Sequence, residues 1–418
     1  MADSNKHTPS LRFPEFLNDG EWSAILLKDA INKVTPPKKL PSSEYKTDGQ
    51  FPVIDQSTNI IAGYSDDYSA LMNTQNEDYI VFGDHTCTLK LVNHPFIQGA
   101  DGIKIFRSKL DDLDTQYLYY YLLAHPILSK EYKRHFADLA EKIILFPKNL
   151  KEQIRIAKCF SSIDKQITAT RSKLEQLKEH KRGLMQRLFP AKGKTVPELR
   201  FPEFLNDGEW EERSFSDIFT FIPNNTLSRA NLNNENGSVQ NIHYGDVLIR
   251  FRECLNVQNE LLPFISDVQD IDRYYKVKLV NGDVIIADTA EDETVGKCTE
   301  LVGHTNGIIV SGLHTIAIRP NKIFATGYLG FYINSNSYRE QLTQIMQGVK
   351  VLSISKTAIS QTKIHFPSSI SEQGKIAHSL SSINDVIKSY EDKITALELH
   401  KKGLMQQLFP NLPHHETN

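Results

Sequence analysis

Two histidine-containing strings are the first candidates for chemistry. His85 stands in Gly-Asp-His-Thr and His314 in Gly-Leu-His-Thr, and a histidine beside a carboxylate or hydroxyl can bind a metal ion or act as the base for a nucleophile. The residues around the two strings differ, however, so they do not form a matched pair. We therefore predict no metal site and no catalytic role for either histidine.

The sequence also lacks the local motifs that catalysis on phosphates, peptides or bases commonly uses. Gly193-Lys194-Thr195 resembles the end of a phosphate-binding loop, but the position five residues before the glycine is Leu188 instead of a second glycine. The Asn-Pro-Pro-aromatic signature of adenine methyltransferases is absent, as are His-Glu-x-x-His and a strand-turn-helix serine elbow. We predict that the chain has no catalytic residues.

Two polar loops suit a different task, the recognition of nucleic-acid bases. Each follows a predicted strand, at 78–82 and 283–287, and precedes another, at 102–106 and 314–318. Because carboxylates accept from the cytosine amino group and His or Thr suits several base edges, we treat the loops as equivalent. The alternative for every residue is a turn that holds its own backbone. The candidates are Asp84, His85, Thr86 and Lys90 in the first loop, and Asp288, Thr289, Glu291, Asp292 and Lys297 in the second.

Further polar loops offer contacts to bases and phosphates, including arginines that can bind guanine through two hydrogen bonds. Their candidates are Lys38, Lys39, Gln56, Ser57, Thr58 and Asn59 in the first half, and Asn224, Asn225, Arg229, Arg250 and Arg252 in the second. A loop at 348–353 adds Lys350 and Ser353 to the second half. The first half has only residues 136–141 at that place, so we expect fewer contacts there.

The bulk composition is that of a folded protein with more than one domain. The chain has 418 residues, 40% hydrophobic and 24% charged, and this length predicts two to three domains. No apolar run approaches the roughly 20 residues of a membrane helix, and residues 1–10 are polar. The scattered cysteines Cys87, Cys159, Cys254 and Cys298 indicate buried thiols. We expect a cytoplasmic protein without membrane contact.

The charge distribution limits where nucleic acid can bind. The formal net charge is −3, without the strong positive excess of a general nucleic-acid binder. Residues 148–194 are an exception, with 13 Lys or Arg against four acidic residues. This stretch is either a solvated helix face or a surface for DNA phosphates or an acidic partner.

Two internal repeats occur in the same order in each half. LRFPEFLNDGEW stands at 11–22 and, identical in all 12 positions, at 199–210; HKRGLMQRLFP at 180–190 matches HKKGLMQQLFP at 400–410 in 9 of 11. The offsets are 188 and 220 residues. A repeated frame that carries two different blocks predicts that the blocks make the choice of target. The predicted segments are a leader (1–22), first block (23–148), first helix (149–190), linker and second leader (191–210), second block (211–368), second helix (369–410) and tail (411–418).

Each half contains a predicted long helix with a heptad seam, whose apolar residues recur at spacings of four and three. The chain order predicts that the helices run antiparallel over about 50 Å, more than the roughly 34–36 Å of one DNA turn. An ordinary dimerisation coiled coil is the alternative. Gly183 and Gly403 should each weaken their helix by about 1 kcal/mol. The seam residues are Ile156, Phe160, Ile163, Ile167, Leu174, Leu177, Leu184 and Leu188, and Ile376, Leu380, Ile383, Ile387, Tyr390, Ile394, Leu397, Leu404 and Leu408.

These features resemble the specificity subunit of type I restriction-modification enzymes over essentially the whole chain. The resemblance is carried by LRFPEF in each leader, by EQIRIAKCFSSIDKQI and EQGKIAHSLSSINDVI at the start of the helices, and by the HK[RK]GLMQ[RQ]LFP endings. It implies an α+β protein with two globular α/β target-recognition domains joined by two long antiparallel coiled-coil helices, with an internal pseudo-two-fold repeat.

The resemblance also implies a function and partners. Each block would read one half of a split, asymmetric site in double-stranded DNA, and helix length would set the unspecified gap. The helices would dock two methyltransferase subunits, and restriction subunits would join through the assembled complex. Methylation and ATP-dependent cleavage would reside in these partners, which would use S-adenosylmethionine, ATP and Mg, while this chain would bind no cofactor.

Two other functions are compatible with parts of the pattern. A coiled-coil adaptor with two divergent protein-binding domains would show no sequence-specific retardation of DNA. An enzyme with an unrecognised site would act on DNA as an isolated chain, which the missing motifs argue against.

Overall fold

A computed structural model of the chain describes residues 7–100, 102–127, 133–303 and 307–410. They form two compact units. The first extends to Arg171 and also holds the residues from Asp392 onward, and the second runs from Ser172 to Glu391. Each unit thus contains one variable block and a part of both long helices, whereas the division made from the sequence keeps each helix as a separate segment.

The first unit is built mainly from antiparallel strands. The order β2-β9-β6-β7 forms one sheet, β4-β3-β8-β5 a second, and β1 pairs with β10. The strands are β1 (Ser23–Leu26), β2 (Ile31–Val34), β3 (Phe51–Ile54), β4 (Gly63–Ser65), β5 (Leu71–Met72), β6 (Tyr79–Gly83), β7 (Leu89–Val92), β8 (Phe96–Gln98), β9 (Ile103–Ser108) and β10 (Ile143–Phe146). The helices are α1 (Leu27–Ala30), α2 (Thr115–Ala124), α3 (Phe136–Ala140) and the start of α4 (Leu150–Leu188).

The second unit repeats this plan with additions. The order β12-β21-β17-β19-β15 forms one sheet and β13-β16-β14-β20 a second, while β11 pairs with β23 and β18 with β22. The strands are β11 (Glu211–Ser214), β12 (Phe219–Ile222), β13 (Leu232–Asn233), β14 (Val239–Ile242), β15 (Cys254–Asn256), β16 (Phe264–Ile265), β17 (Val284–Ala287), β18 (Thr289–Ala290), β19 (Cys298–Val302), β20 (Ile308–Ser311), β21 (Thr315–Pro320), β22 (Leu352–Ser353) and β23 (Lys363–Phe366). The second unit also contains the end of α4 and most of α11 (Ile370–Leu408), which both units share. Its other helices are α5 (Phe215–Ile218), α6 (Tyr244–Ile249), α7 (Ile271–Lys276), α8 (Tyr328–Ile333), α9 (Asn336–Ile345) and α10 (Lys356–Ile359).

Strand β6 of the sheet β2-β9-β6-β7 and strand β17 of the five-stranded sheet are both interior strands and are buried on both faces. In β6, Ile80 and Phe82 pack in the core that contains α2, and Val81 packs in a core on the opposite face. Strand β17 divides its side chains in the same way between two cores. Alternation of side chains along a strand explains why both faces need apolar residues here. These strands, together with β9 and β21, confirm the four strands predicted around the polar loops.

The two long helices confirm the heptad prediction. Each has 39 residues, about 58 Å at 1.5 Å per residue, and every predicted seam residue is buried or half-buried. In the first unit Asp164 binds Lys401 and Arg171 binds Glu398. Residue numbers therefore rise along α4 where they fall along α11. The helices are therefore antiparallel, as predicted, and their apolar faces stabilise both units through burial.

The repeated leaders hold the frame closed through the same contacts in both units. The Leu11 N–H donates to the Gln407 carbonyl (2.9 Å), and the Leu199 N–H donates to the Arg187 carbonyl (2.8 Å). Each leader therefore binds the last turn of one long helix.

A buried ion pair ties each leader to the start of the other long helix in its unit. Arg12 binds both carboxylate oxygens of Glu152 at 2.7 Å, and Arg200 binds those of Glu372 at 2.8 Å. Both glutamates are at most 1% exposed. Because a buried carboxylate is costly without a partner, this pair explains the arginine in each LRFPEF repeat.

Candidate nucleic-acid interface

The loops after β6 and β17 occupy the same position in their units. The Asp84 N–H donates to the Gly102 carbonyl (2.6 Å), and the Asp288 N–H donates to the His314 carbonyl (3.1 Å). In each case the acceptor lies at the start of the neighbouring antiparallel strand. This shared bonding confirms the equivalence of the two loops that the sequence predicted.

In the first unit, this loop is joined to the loop after β3. The Gln56 carbonyl accepts hydrogen bonds from the Thr86 hydroxyl (2.7 Å) and the Thr88 hydroxyl (3.0 Å). A Cβ atom at Gly83 would collide with both threonine hydroxyls, so this close approach requires glycine. The two loops therefore form one surface, which we call the first recognition surface (residues 55–59 and 84–90).

The exposed side chains of this surface are Thr86, whose hydroxyl is bound to the Gln56 carbonyl, and two residues in the segment after Gln56. Thr58 and Asn59 are exposed, and Ser57 is half-buried. Lys38 and Lys39 are also exposed, but Lys38 is bound to Asp67 at 2.7 Å. Thr58 and Asn59 are thus the polar groups best placed to meet a ligand from solvent.

Other predicted residues of the first loop are engaged within the protein. Asp84 is 2% exposed and accepts a hydrogen bond from the Phe136 N–H (2.8 Å). Lys90 is also buried, donates to the Asp55 carbonyl (2.7 Å), and burial lowers its pKa. His85 lies with Nδ1 3.2 Å from the Lys133 carbonyl. Contrary to the sequence-based picture, Asp84 and Lys90 hold the loop together instead of facing solvent.

In the second unit, the loop after β17 is paired with a hairpin from the end of the block. Thr289 pairs with Ser353 and Ala290 with Leu352 as strands β18 and β22. The Thr289 hydroxyl also donates to the Asp288 carboxylate (2.8 Å). The structure thus brings together two segments that were predicted as separate loops. We call them the second recognition surface (residues 288–292 and 347–353).

The charged residues of this loop differ in whether they are hydrogen-bonded within the protein. The Asp292 carboxylate accepts from the Thr294 N–H (2.9 Å), and hydrogen bonds from Thr294 lower the Asp292 pKa. Glu291 is exposed. Lys297 donates to the Leu248 carbonyl (2.7 Å), and burial lowers the pKa of this lysine. Glu291 is therefore available as an acceptor, while Asp292 and Lys297 hold local structure.

The hairpin presents an apolar residue at its tip. Gln347 and Ser353 exchange backbone hydrogen bonds of 3.0 and 2.8 Å, and Gly348 between them has φ +120°, a conformation that favours glycine. Val349 is 99% exposed, and Lys350 beside it is exposed as well. An apolar tip next to a cation suits contact with a base and its phosphate, and the sequence analysis had not singled out Val349.

The polar residues that follow β12 lie within the second unit's own network. The Asn225 side chain donates to the Asn241 side chain (2.7 Å) and the Ser311 carbonyl (3.1 Å). The Asn224 side chain donates to the Gly312 carbonyl (3.2 Å). Both asparagines therefore anchor the strand end.

The arginines of the second block are also engaged. Arg229 binds both oxygens of Asp246 at 2.9 Å. Arg250 contacts Glu260 at 3.5 Å. Both guanidinium groups are therefore paired with a carboxylate of the second unit, although their side chains are 52% and 39% exposed.

Arg252 contacts helix α11 and is not part of the recognition surface. Its guanidinium donates to the Asn384 carbonyl (2.7 Å) and to the Glu391 carboxylate (2.6 Å). The sequence predicted a base contact for this residue. The structure gives Arg252 an internal role, the attachment of the second block to a long helix.

The described part of the chain has neither a metal cluster nor a spanning helix. No group of three or more His, Cys, Asp or Glu residues in it is arranged to hold a metal ion. No helix within the same residues is long and apolar enough to cross a membrane. The four cysteines are free; Cys298 is buried and the others are half-buried.

The sequence is similar to one known protein family. The family model for the type I restriction modification DNA specificity domain matches residues 20–179 and 207–399. No curated protein matches the chain significantly.

Two solved structures share the fold. The type I restriction-modification system S subunit from M. genitalium has a TM-score of 0.63 at 15% identity, covering 97% of this chain and all of that one. A structure described in terms of complex assembly and conformational transition of the type I R-M system has a TM-score of 0.50 at 15% identity, covering 93% and 98% of the two chains.

Proposed function

Because the chain belongs to the type I restriction-modification DNA specificity family, we propose that it selects a bipartite, asymmetric site in double-stranded DNA. The first recognition surface reads one half-site and the second reads the other. The two surfaces differ in nearly every exposed group, since one presents Thr58 and Asn59 and the other Glu291, Val349 and Lys350. Different donors and acceptors on the two surfaces select different bases.

The observation that carries this proposal is the repeated, closed frame that holds two unlike blocks. The leader contacts, the buried Arg–Glu pairs and the helix seam are the same in both units, whereas the loops after β6 and β17 differ. A frame that keeps its contacts while the loops diverge separates assembly from recognition.

The long helices supply the spacing and the docking surface in this proposal. Helix length sets the number of unspecified base pairs between the half-sites. Two methyltransferase subunits dock on the repeated helices, one per copy of the frame, and restriction subunits join through the assembled complex.

Chemistry belongs to those partners in the same proposal. They use S-adenosylmethionine, ATP and Mg, while this chain contributes selection alone and binds no cofactor. The assembly works in the cytoplasm, where its DNA is. Support comes from the sequence, which lacks the tested motifs for phosphate binding and adenine methylation.

Mapping of methylated bases tests the proposal. Cells that express this chain with its methyltransferase should carry one methylated motif made of two parts with a fixed gap. Replacement of residues 23–148 by the block of another such chain should change one part only. A methylation pattern that does not depend on this chain would refute the proposal.

A paired insertion tests the spacing. Seven residues added after Lys173 and after the equivalent Lys393 keep both seams in register and lengthen the antiparallel pair by about 10 Å. The gap should widen by about three base pairs, since one pair occupies roughly 3.4 Å. Insertion after Lys173 alone is the control, because it breaks the seam and should abolish modification. An unchanged gap after the paired insertion would contradict the spacing role.

A further inference from the structure

A largely buried lysine in the last third of each long helix, 15% exposed in one unit and 19% in the other, meets a different set of partners in the two units. In the first unit, Lys401 donates to the Asp164 carboxylate (2.6 Å). The other oxygen of Asp164 accepts from the Tyr120 hydroxyl (3.0 Å), and the lysine lies 5.6 Å from the Tyr120 ring centre. Here the carboxylate comes from the repeated helix, and the first block supplies a hydroxyl.

In the second unit, Lys181 donates to the Glu253 carboxylate (2.6 Å). The other oxygen of Glu253 accepts from the Asn384 side-chain amide (3.0 Å), and the lysine lies 5.8 Å from the Phe331 ring centre. Lys181 and Glu253 are only 15% and 16% exposed. Here the carboxylate comes from the second block, and the helix supplies an amide.

These residues are equivalent by position. Lys181 and Lys401, like Asp164 and Asn384, are separated by the 220-residue offset of the helix repeat. The aromatic partner of each lysine belongs to the same helix of its block, α2 or α8. The two units therefore supply the carboxylate at matched sites from different sources. In the first unit it belongs to the long helix, as Asp164, and in the second unit to the block, as Glu253.

The source of Glu253 explains how this difference arises. Glu253 directly precedes β15, which pairs with β19 as the edge strand of a five-stranded sheet. The corresponding sheet among the described residues of the first unit ends at β7. The first block thus offers no strand from which a carboxylate could reach Lys401, and Asp164 provides it.

We propose that each lysine site is a lock that makes a recognition block specific for its own half of the frame. A largely buried ammonium needs one carboxylate, and two carboxylates at hydrogen-bond distance repel each other. The first block placed in the second half would leave Lys181 with the amide of Asn384 and no carboxylate. The second block placed in the first half would set Glu253 against Asp164.

Substitutions in the natural chain test the second lock. Glu253→Gln removes the carboxylate of Lys181, and Asn384→Asp places two carboxylates about 3.0 Å apart; each should lower the melting temperature of the second unit by roughly 5 °C. The double variant restores the arrangement of the first unit and should melt above both single variants. Losses that simply add in the double variant would overturn the proposal, because they mean that the two sites do not act together.

An exchanged chain tests the lock directly. Residues 23–148 are replaced by a second copy of residues 211–368, and Asp164→Asn is introduced into this chain and into the natural one. The substitution should lower the melting temperature of the natural chain and raise that of the exchanged chain. The same sign in both would overturn the proposal. Asp385→Asn, at an exposed position of α11, is the matched control and should change neither.

The exchanged chain also separates this inference from the proposed function. If the lock is correct, a methylation assay with the Asp164→Asn exchanged chain should recover at least tenfold more modification than the exchanged chain without it. A melting temperature that rises without any methylated motif would retain the lock and count against the function. If the exchanged chain does not fold, the Glu253 and Asn384 variants still decide the question.

Discussion

Helices α2 and α8 pack at the same place in the two units. Different elements, however, accept the hydrogen bonds of the backbone N–H groups in their first turns. The Asp114 side chain caps α2 by accepting from the Tyr117 N–H (2.7 Å). Helix α8 starts after Gly327, and Glu300 of strand β19 accepts from the N–H groups of Gly327 (2.6 Å) and Gly330 (2.9 Å). The start of a helix exposes unpaired N–H groups that favour a carboxylate, but any nearby element can provide it.

The two units also carry different residues at the strand position that Glu300 occupies. Glu300 lies opposite Val284, and at the matching place of the first unit Leu91 lies opposite Ile80. A leucine suits a buried strand, whereas a buried carboxylate needs hydrogen bonds. A repeated frame can therefore hold blocks that solve the same local problem with unrelated residues, and the difference is open to experiment.

The buried arginine pairs should give the largest effect and the same one in both units. Arg12→Ala leaves Glu152 buried without its partner, and Arg200→Ala does so for Glu372, so each should cost about 3–5 kcal/mol of unfolding free energy. Calorimetric unfolding measures the loss. Arg155→Ala, at an exposed pair with Glu15, is the control and should cost at most about 1 kcal/mol. A loss confined to one unit would show that the frame contacts are not equivalent.

Glu300 should make the second unit sensitive to pH. Burial raises the pKa of Glu300 to about 7 in spite of its backbone hydrogen bonds, from 4.5 in the unfolded chain. Its stabilising contribution is therefore complete below pH 4.5 and is lost as the pH rises through 7, a change of about 3 kcal/mol. Unfolding by urea at several pH values should show this decline.

The matched variant for this prediction is Glu300→Gln, which cannot titrate. Its unfolding free energy should lose the decline between pH 4.5 and 7, whatever its absolute value. A decline that persists in the variant would mean that another group is responsible. In the first unit Leu91 stands at this position, so no matching decline is expected from it.

Substitutions at the exposed loop residues should alter one half-site each. Asn59→Ala in the first recognition surface and Glu291→Gln in the second should cost about 1–3 kcal/mol of binding at one half-site. Competition binding with DNA changed in one half-site at a time measures this, with the methyltransferase present. Lys350→Ala is the contrast, because loss of a phosphate contact should weaken all sequences alike and reduce the salt dependence. Equal losses on both half-sites from Asn59→Ala would contradict direct readout.

The helix glycines should give the smallest effect, and a gain instead of a loss. Gly183 and Gly403 lie inside long helices, and an added Cβ would meet no described atom within 4 Å. Gly183→Ala and Gly403→Ala should each stabilise the chain by about 0.5–1 kcal/mol, as measured by thermal unfolding of the isolated chain. If either variant loses methylation activity while gaining stability, the open space there is needed by a partner.

The frame could be predicted from the sequence because its signals are local and doubled. The seam from Ile156 to Leu188 follows a fixed period, and an identical leader in each half marks the same structural unit twice. The strands beside the recognition loops were equally clear, since short apolar runs such as 284–287 end in polar corners. Periodicity and repetition can both be recognised in the sequence itself, so no tertiary information was needed.

The orientation of individual polar side chains could not be predicted in this way. Lys90 and Arg252 are cationic residues of the type that contacts DNA. Lys90, however, is buried against Asp55, and Arg252 binds helix α11. Which cation faces solvent depends on contacts with residues 35 or more positions away. Val349 was missed for the opposite reason, because an apolar residue gives no sequence signal of exposure when a glycine turn carries it outward.

The contact of the first leader with the end of α11 has a consequence for biosynthesis. The first unit is discontinuous, because its core includes Leu408 and Phe409, whereas the second unit is one uninterrupted stretch from Ser172 to Glu391. On the ribosome, the block made first must wait for the last segment to emerge before its core is complete. We therefore expect the block made second to complete its core first, and a message truncated before residue 392 to yield one complete unit and one incomplete unit.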